Sequence, residues 1–277
     1  MSFPCFFAIF VTVKSKQMAG NDCCIKRSAI ILRAFMLFFV LWYFNIAVRP
    51  FEGCIGSSQT LHYTLNYLLA GLIPTWALFL LHARRDIASS MGLSHGFGTG
   101  LLFAVTATLP MIAGYAVIGE FDRELTADAA FTWIFEELVY RGFVFGQLFR
   151  YARWGFLPAA LLTALAFGSL HLYQGHDPVS ALTAFGITAL GSIFFSWLYV
   201  EWNYNLWGVI WLHTLMNLPW IVFRVSTSGA VGDTGANALR LCTIILAIGL
   251  TVAYKRKRGL PYRIQINTLI TNKIQNA

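Results

Sequence analysis

The chain has 277 residues, 57% of them hydrophobic and 12% charged, with a mean hydropathy of +0.63. A soluble domain carries about 25% charged residues, so a water-soluble globular enzyme is excluded and several apolar spans of about 20 residues fit instead. The formal charge of +8 does not indicate a nucleic-acid partner, because the basic residues gather at the ends of apolar runs.

In chain order, the opening MSFPCFFAIFVTVKSK is apolar but has no basic start and no small-residue cleavage site. It reads as an interfacial part of a cytoplasmic segment, 1–27, rather than a cleaved signal. Cys23 and Cys24 are expected to be spectators, and the five cysteines show no CxxC spacing that would suggest a zinc ribbon. Eight apolar runs follow, at 28–48, 61–83, 98–119, 130–149, 156–173, 179–200, 205–223 and 237–254. The expected fold class is therefore all-α, a polytopic membrane helical bundle of about eight transmembrane helices.

Lys14, Lys16, Lys26 and Arg27 precede the first run. Arg84 and Arg85 follow the second, Arg150 and Arg153 the fourth, and Lys255 to Arg258 the eighth. With eight spans these clusters share one side, which the positive-inside rule makes cytoplasmic together with both termini. Arg49, Arg123, Arg224 and Arg240 are isolated exceptions. Ala160, Ala164 and Gly168 in the fifth run, and Ala184, Thr188, Ser192 and Ser196 in the sixth, recur every four residues and read as close helix-packing faces. Pro74, Pro110 and Pro219 read as kinks.

The fourth run holds an anomaly, FEELVYRG. Each ionisable group near a bilayer centre costs roughly 2.5–3.5 kcal/mol on insertion scales. At helical spacing Glu137 shares a face with Arg141 and can pair with it. Glu136 points about 100° away and has no partner in its own helix, which suits a general acid or base. In the fifth run Phe167 and His171 are four apart, so the ring can pack beneath the imidazole; in the seventh, His213 and Asn217 are likewise co-facial. Antiparallel helices would bring Glu136, His171, His213 and Asn217 to one depth, which points to a site among the fourth to seventh spans. His62, His82, His95 and His176 are taken as spectators.

Glu136-Glu137 with Arg141, Phe167 with His171, and His213 with Asn217 resemble the motifs of the CPBP family. It comprises CAAX prenyl endopeptidases of the Rce1 type and bacterial relatives called Abi or bacteriocin-processing proteins. The resemblance implies an intramembrane endopeptidase with its catalytic core at 130–223, accessory helices at 28–129, and a last helix with a basic cytoplasmic tail at 224–277. It implies that Glu136, assisted by His171, activates water, that His213 and Asn217 hold the oxyanion, and that Glu137, Arg141 and Phe167 support them. A metal-free mechanism is preferred; the alternative is zinc held by Glu136, His171 and His213. The implied partners are the lipid bilayer and a membrane-associated or exported peptide, in a bacterial inner or plasma membrane. Competing classes are a proton-coupled transporter, for which no internal repeat is found, and a non-catalytic scaffold or immunity protein.

Overall fold

A computed structural model describes residues 20–48, 59–83, 86–121, 127–225, 231–232 and 234–272. The expected interfacial start, Arg49, Arg84, Arg85, Arg123 and the side chain of His62 lie outside the described residues. Among those described there are eight long helices: α1 (Gly20–Val48), α2 (Gln59–Leu81), α3 (Phe97–Ile118), α4 (Ala127–Glu137), α5 (Phe156–Ser169), α6 (Pro178–Glu201), α7 (Leu206–Val222) and α8 (Thr234–Arg258). Seven of them match apolar runs along most of their length, and α4 takes up the first part of the fourth, 130–149. Four are long and apolar enough to cross a membrane by themselves: α3, α5 with the turn after it, α6 and α8. No β-strand occurs among the described residues, only an isolated bridge between Trp154 and Thr271.

The departure from the helical reading lies in the fourth run. Behind Glu137 the α-helix gives way to π-helix over Leu138–Phe145, and again over Gln147–Tyr151. Wider i→i+5 turns of this kind are rare and concentrate at functional sites. This segment is the axis of the bundle: it packs against α1, α2, α5, α6 and α7, and Val139 through Phe149 are all buried. Its position explains the charges in FEELVYRG. The segment is surrounded by protein, so Glu137 and Arg141 meet each other rather than lipid.

Small residues set the helix spacing as expected. A Cβ at Gly168 would lie 3.0 Å from the Phe185 carbonyl oxygen on α6, a tight contact that glycine avoids where α5 and α6 approach. At the α3–α7 contact, a Cβ on Gly100 would lie 2.6 Å from the Gly208 nitrogen, and only glycine permits that approach. Pro74, Pro110 and Pro219 lie inside α2, α3 and α7. Outward positions are large and apolar, such as Leu102, Val117 and Leu190, which are 70%, 83% and 70% exposed. That surface suits lipid.

Two helix starts are fixed locally. Asp177 caps α6 by accepting from the Val179 and Ser180 amides at 2.9 and 3.2 Å, with Pro178 at the first helical position. Asn205 caps α7 from the Gly208 amide at 3.4 Å and donates to Gly96 O at 3.0 Å. At the basic end of the bundle Lys255, read from the sequence as one of a row of loop cations, is only 3% exposed. It pairs with buried Glu201 and donates to Pro261 O. Glu201 also accepts the backbone N–H groups of Arg263 and Ile264. The chain after α8 is thereby strapped across that end, and Asn272 fastens it to Phe149 O at 2.8 Å.

Candidate active site

At the opposite end of the bundle a cavity of about 990 Å³ opens among α4, α5 and its following turn, α6, α7 and α8. Its floor includes Glu136, His171, His213 and Asn217, all four of the residues singled out by depth in the sequence. The expectation of a cavity among the fourth to seventh spans needs one addition: α8, which carries no motif, supplies a wall.

Glu136 and Glu137 divide as their spacing predicts. Glu137 is fully buried and its Oε1 accepts from Arg141 Nη1 at 2.9 Å, the expected i,i+4 pair. The same oxygen also receives His213 Nδ1 at 2.6 Å, a contact across helices that the sequence does not reveal. A carboxylate can only accept, so the proton of that bond sits on Nδ1. His213 is left with Nε2 directed towards Glu136, whose Oε2 is 3.8 Å away. Glu136 retains 22% exposure of its side chain, against 0% for Glu137. One carboxylate is enclosed by partners; its neighbour faces the cavity.

His171 stands two residues beyond the end of α5, in the turn, rather than within a helix as the sequence suggested. Its Nδ1 donates to Phe167 O at 2.8 Å, which leaves Nε2 as the lone-pair nitrogen. The expected Phe167–His171 packing is present, with ring centroids 4.6 Å apart and the planes tilted by 47°. Asn217 lies one turn along α7 from His213 and lines the same space. Phe195 on α6 is a site neighbour that sequence reasoning missed. Its ring stacks on His213 at 5.1 Å and on the Arg141 guanidinium at 5.3 Å, while Phe167 covers Arg141 from 4.9 Å. Arg141 is thus held between two aromatic faces. Nothing in the phenylalanine-rich sixth run distinguishes Phe195 from its neighbours before folding.

Zinc held by Glu136, His171 and His213 was the expected alternative. Among the described residues no group of three or more His, Cys, Asp or Glu side chains is gathered closely enough to hold a metal. Glu136 and His213 approach each other to 3.8 Å, and His171 lines the same cavity. The histidines set aside from the sequence lie elsewhere. His82 bonds Gln147 Oε1 at 2.6 Å at the basic end, His95 approaches Asn203 O at 3.3 Å, and His176 is exposed beside the α6 cap.

The sequence model of a family described as type II CAAX prenyl endopeptidase Rce1-like matches residues 124–219. The match runs from just before α4 into α7 and includes Glu136, Glu137, Arg141, Phe167, His171, His213 and Asn217. It spans about a third of the 277-residue chain. No curated protein matches the chain.

Proposed function

From the premise that residues 124–219 make this chain a member of the Rce1-like CAAX prenyl endopeptidase family, we propose that it hydrolyses a peptide bond of a membrane-associated or exported peptide inside this cavity, using water activated by Glu136. The observation that carries the reading is the unequal treatment of two adjacent carboxylates: Glu137 is consumed by Arg141 and His213, and Glu136 is left facing the cavity 3.8 Å from His213.

In this reading Glu136, assisted by His171 Nε2 from the same cavity, takes a proton from water. The resulting hydroxide attacks the scissile carbonyl, and Asn217 and the protonated Nε2 of His213 donate to the oxyanion. Each well-placed donor in a dry site contributes about 2.7–4 kcal/mol. Glu137 orients the His213 ring through Nδ1 and balances its charge when Nε2 carries a proton. The proton held by Glu136 then passes to the departing amine nitrogen as the C–N bond breaks, and the carboxylic acid and amine so formed exchange a proton and leave as carboxylate and ammonium. No step needs a metal.

The test is cleavage of a panel of prenylated and unlipidated membrane peptides by purified protein in detergent, with and without excess chelator. Wild type should cut at least one peptide, with the chelator making no difference. Activity lost to the chelator and restored by zinc would replace this mechanism with a metal-dependent one. A wild-type protein that cuts nothing in the panel, while remaining folded, would count against the protease reading itself.

A further inference from the structure

Helix α1 lies outside the segment that the family model matches. Its inner face, with Ile31, Ala34, Phe35 and Phe38, is buried in the core. Two hydrogen bonds also join α1 to the two ends of α5, the helix that leads to His171. At the basic end Trp154, two residues before α5, donates from Nε1 to Ser28 Oγ at 3.0 Å. At the cavity end the Tyr43 hydroxyl donates to Oγ of Ser169, the last residue of α5, at 3.1 Å. Ser169 itself fixes the direction of that bond: its one hydroxyl proton goes to Ala166 O at 2.8 Å, so its oxygen accepts from Tyr43. Ser28 and Tyr43 are 15 residues apart, as are Trp154 and Ser169. That is ~22 Å of helix at 1.5 Å per residue, so α1 braces α5 at both ends.

The second tie lands where the chain leaves α5 for the turn that holds His171. There Ser169 Oγ donates to Ala166 O, His171 Nδ1 to Phe167 O, and the His171 amide to Gly168 O at 2.9 Å. His171 therefore hangs from the last turn of α5, two residues beyond the bond to Tyr43. The same helix reaches the site by packing. Phe39 meets Tyr43 edge-on at 4.8 Å, and Phe35 meets Tyr140 at 6.1 Å. Tyr140 in turn packs on Phe167, the ring beside His171, at 5.0 Å. Resting on the reading of His171 as the assistant of Glu136, we propose that Tyr43 is a positioning residue: its bond to Ser169 fixes the end of α5, and with it the place of His171 Nε2 in the cavity. Neither Tyr43 nor Ser169 lines the cavity, so the effect passes through His171. The loss of one hydrogen bond changes a local equilibrium about fivefold. A catalytic group misplaced by about 1 Å costs up to ~10²-fold in rate. The expected effect on turnover lies between the two.

The experiment uses the full-length protein in detergent: wild type, Tyr43→Phe, Ser169→Ala, the double variant and Ser169→Thr. Cleavage of the peptide panel gives kcat and KM. Amide hydrogen exchange across 169–175 gives a second readout that needs no turnover. Tyr43→Phe keeps the ring and removes only the hydroxyl, so its melting temperature should match wild type. Its kcat should fall about tenfold with KM within about twofold. Exchange of the His171 and Gln174 amides should be about fivefold faster. Ser169→Ala also frees Ala166 O and should do at least as much, and the double variant should be no worse than Ser169→Ala, because the two changes remove one shared bond. Ser169→Thr keeps the hydroxyl and should turn over like wild type. A wild-type kcat in Tyr43→Phe would overturn the proposal, as would additive losses in the double variant. A drop in melting temperature large enough to account for the lost turnover would reduce Tyr43 to packing and overturn it too. If the wild-type protein cuts no peptide, the protease reading falls and exchange alone decides. Faster exchange confined to 169–175 would keep Tyr43 as the residue that fixes the turn, and unchanged exchange would remove it.

Discussion

Among the described residues the bundle buries an acid–base cluster at each end, Glu201 with Lys255 and Glu137 with Arg141 and His213, and the two are built on opposite plans. At the basic end Glu201 is closed on every side: Lys255, the Arg263 amide and the Ile264 amide all donate to it, and Lys255 has a second acceptor in Pro261 O. At the cavity end Glu137, Arg141 and His213 are joined, yet the cluster is left open. Among the described residues Glu137 Oε2 and Arg141 Nε and Nη2 have no hydrogen-bond partner, and Glu136 faces the void. A buried charge kept only for architecture is stabilised by saturating it. One kept for chemistry must retain an unspent face. The difference separates a strap from a site where composition does not.

Changing each carboxylate sharpens that contrast. Glu136→Gln keeps shape and removes the base, so turnover should fall by about 10²–10⁴-fold, with an unchanged melting temperature in detergent. A comparable loss of stability would mean that Glu136 is as structural as its neighbour. Glu137→Gln should do both kinds of harm: Arg141 loses its counter-charge, a loss on the order of 3–5 kcal/mol for a broken buried pair, and His213 loses the acceptor that orients it. The activity remaining per folded molecule should therefore drop as well. Glu201→Gln strands Lys255 and should also lower the melting temperature, but kcat per folded molecule should stay within about twofold, since the residue lies in the opposite cluster and is no part of the proposed acid–base chemistry. If Glu201→Gln instead abolished turnover at normal stability, the distinction between closed and open clusters would fail.

Much of this was legible before folding, and the boundary of legibility is physical. The eight apolar runs coincide with eight helices because span length and hydropathy are local quantities. The Glu137–Arg141 pair and the Phe167–His171 contact are visible because their members are four residues apart. What was hidden depends on contacts between distant parts of the chain or on irregular backbone. The π-helical turn after Glu137 has no periodic signature in so apolar a run. The bond from His213 to Glu137 joins residues far apart in sequence, as does the placement of Phe195 between Arg141 and His213. Lys255 looks like its neighbours in KRKR, and only the return of the tail across the basic end shows that it is buried. Arg224 and Arg240 were noticed as breaks in the charge pattern, but their common cavity appears only when α8 packs on α3 and lays Arg240 over Trp220.

The smallest expected effect concerns the loop that carries the cavity's edge. Asp177 begins α6 just after the turn holding His171, and its carboxylate accepts two backbone amides and the Ser180 hydroxyl. Those bonds, the Ser180 hydroxyl first among them, hold its pKa below the ordinary value. A carboxyl whose folded pKa is depressed stabilises the fold fully above its unfolded pKa, and that contribution is lost as pH falls through the folded one. Asp177→Ala should therefore speed hydrogen exchange at the Val179 and Ser180 amides relative to wild type at pH 7. The gap between the two proteins should close on acidification below the ordinary aspartate pKa of about 3.9. The side chain is exposed, so global stability should barely move. Unchanged exchange in the variant at pH 7 would show that Pro178 and packing alone define the start of α6. In that case the His171 turn would be held by its packing on α6 and by the bond from His171 Nδ1 to Phe167 O.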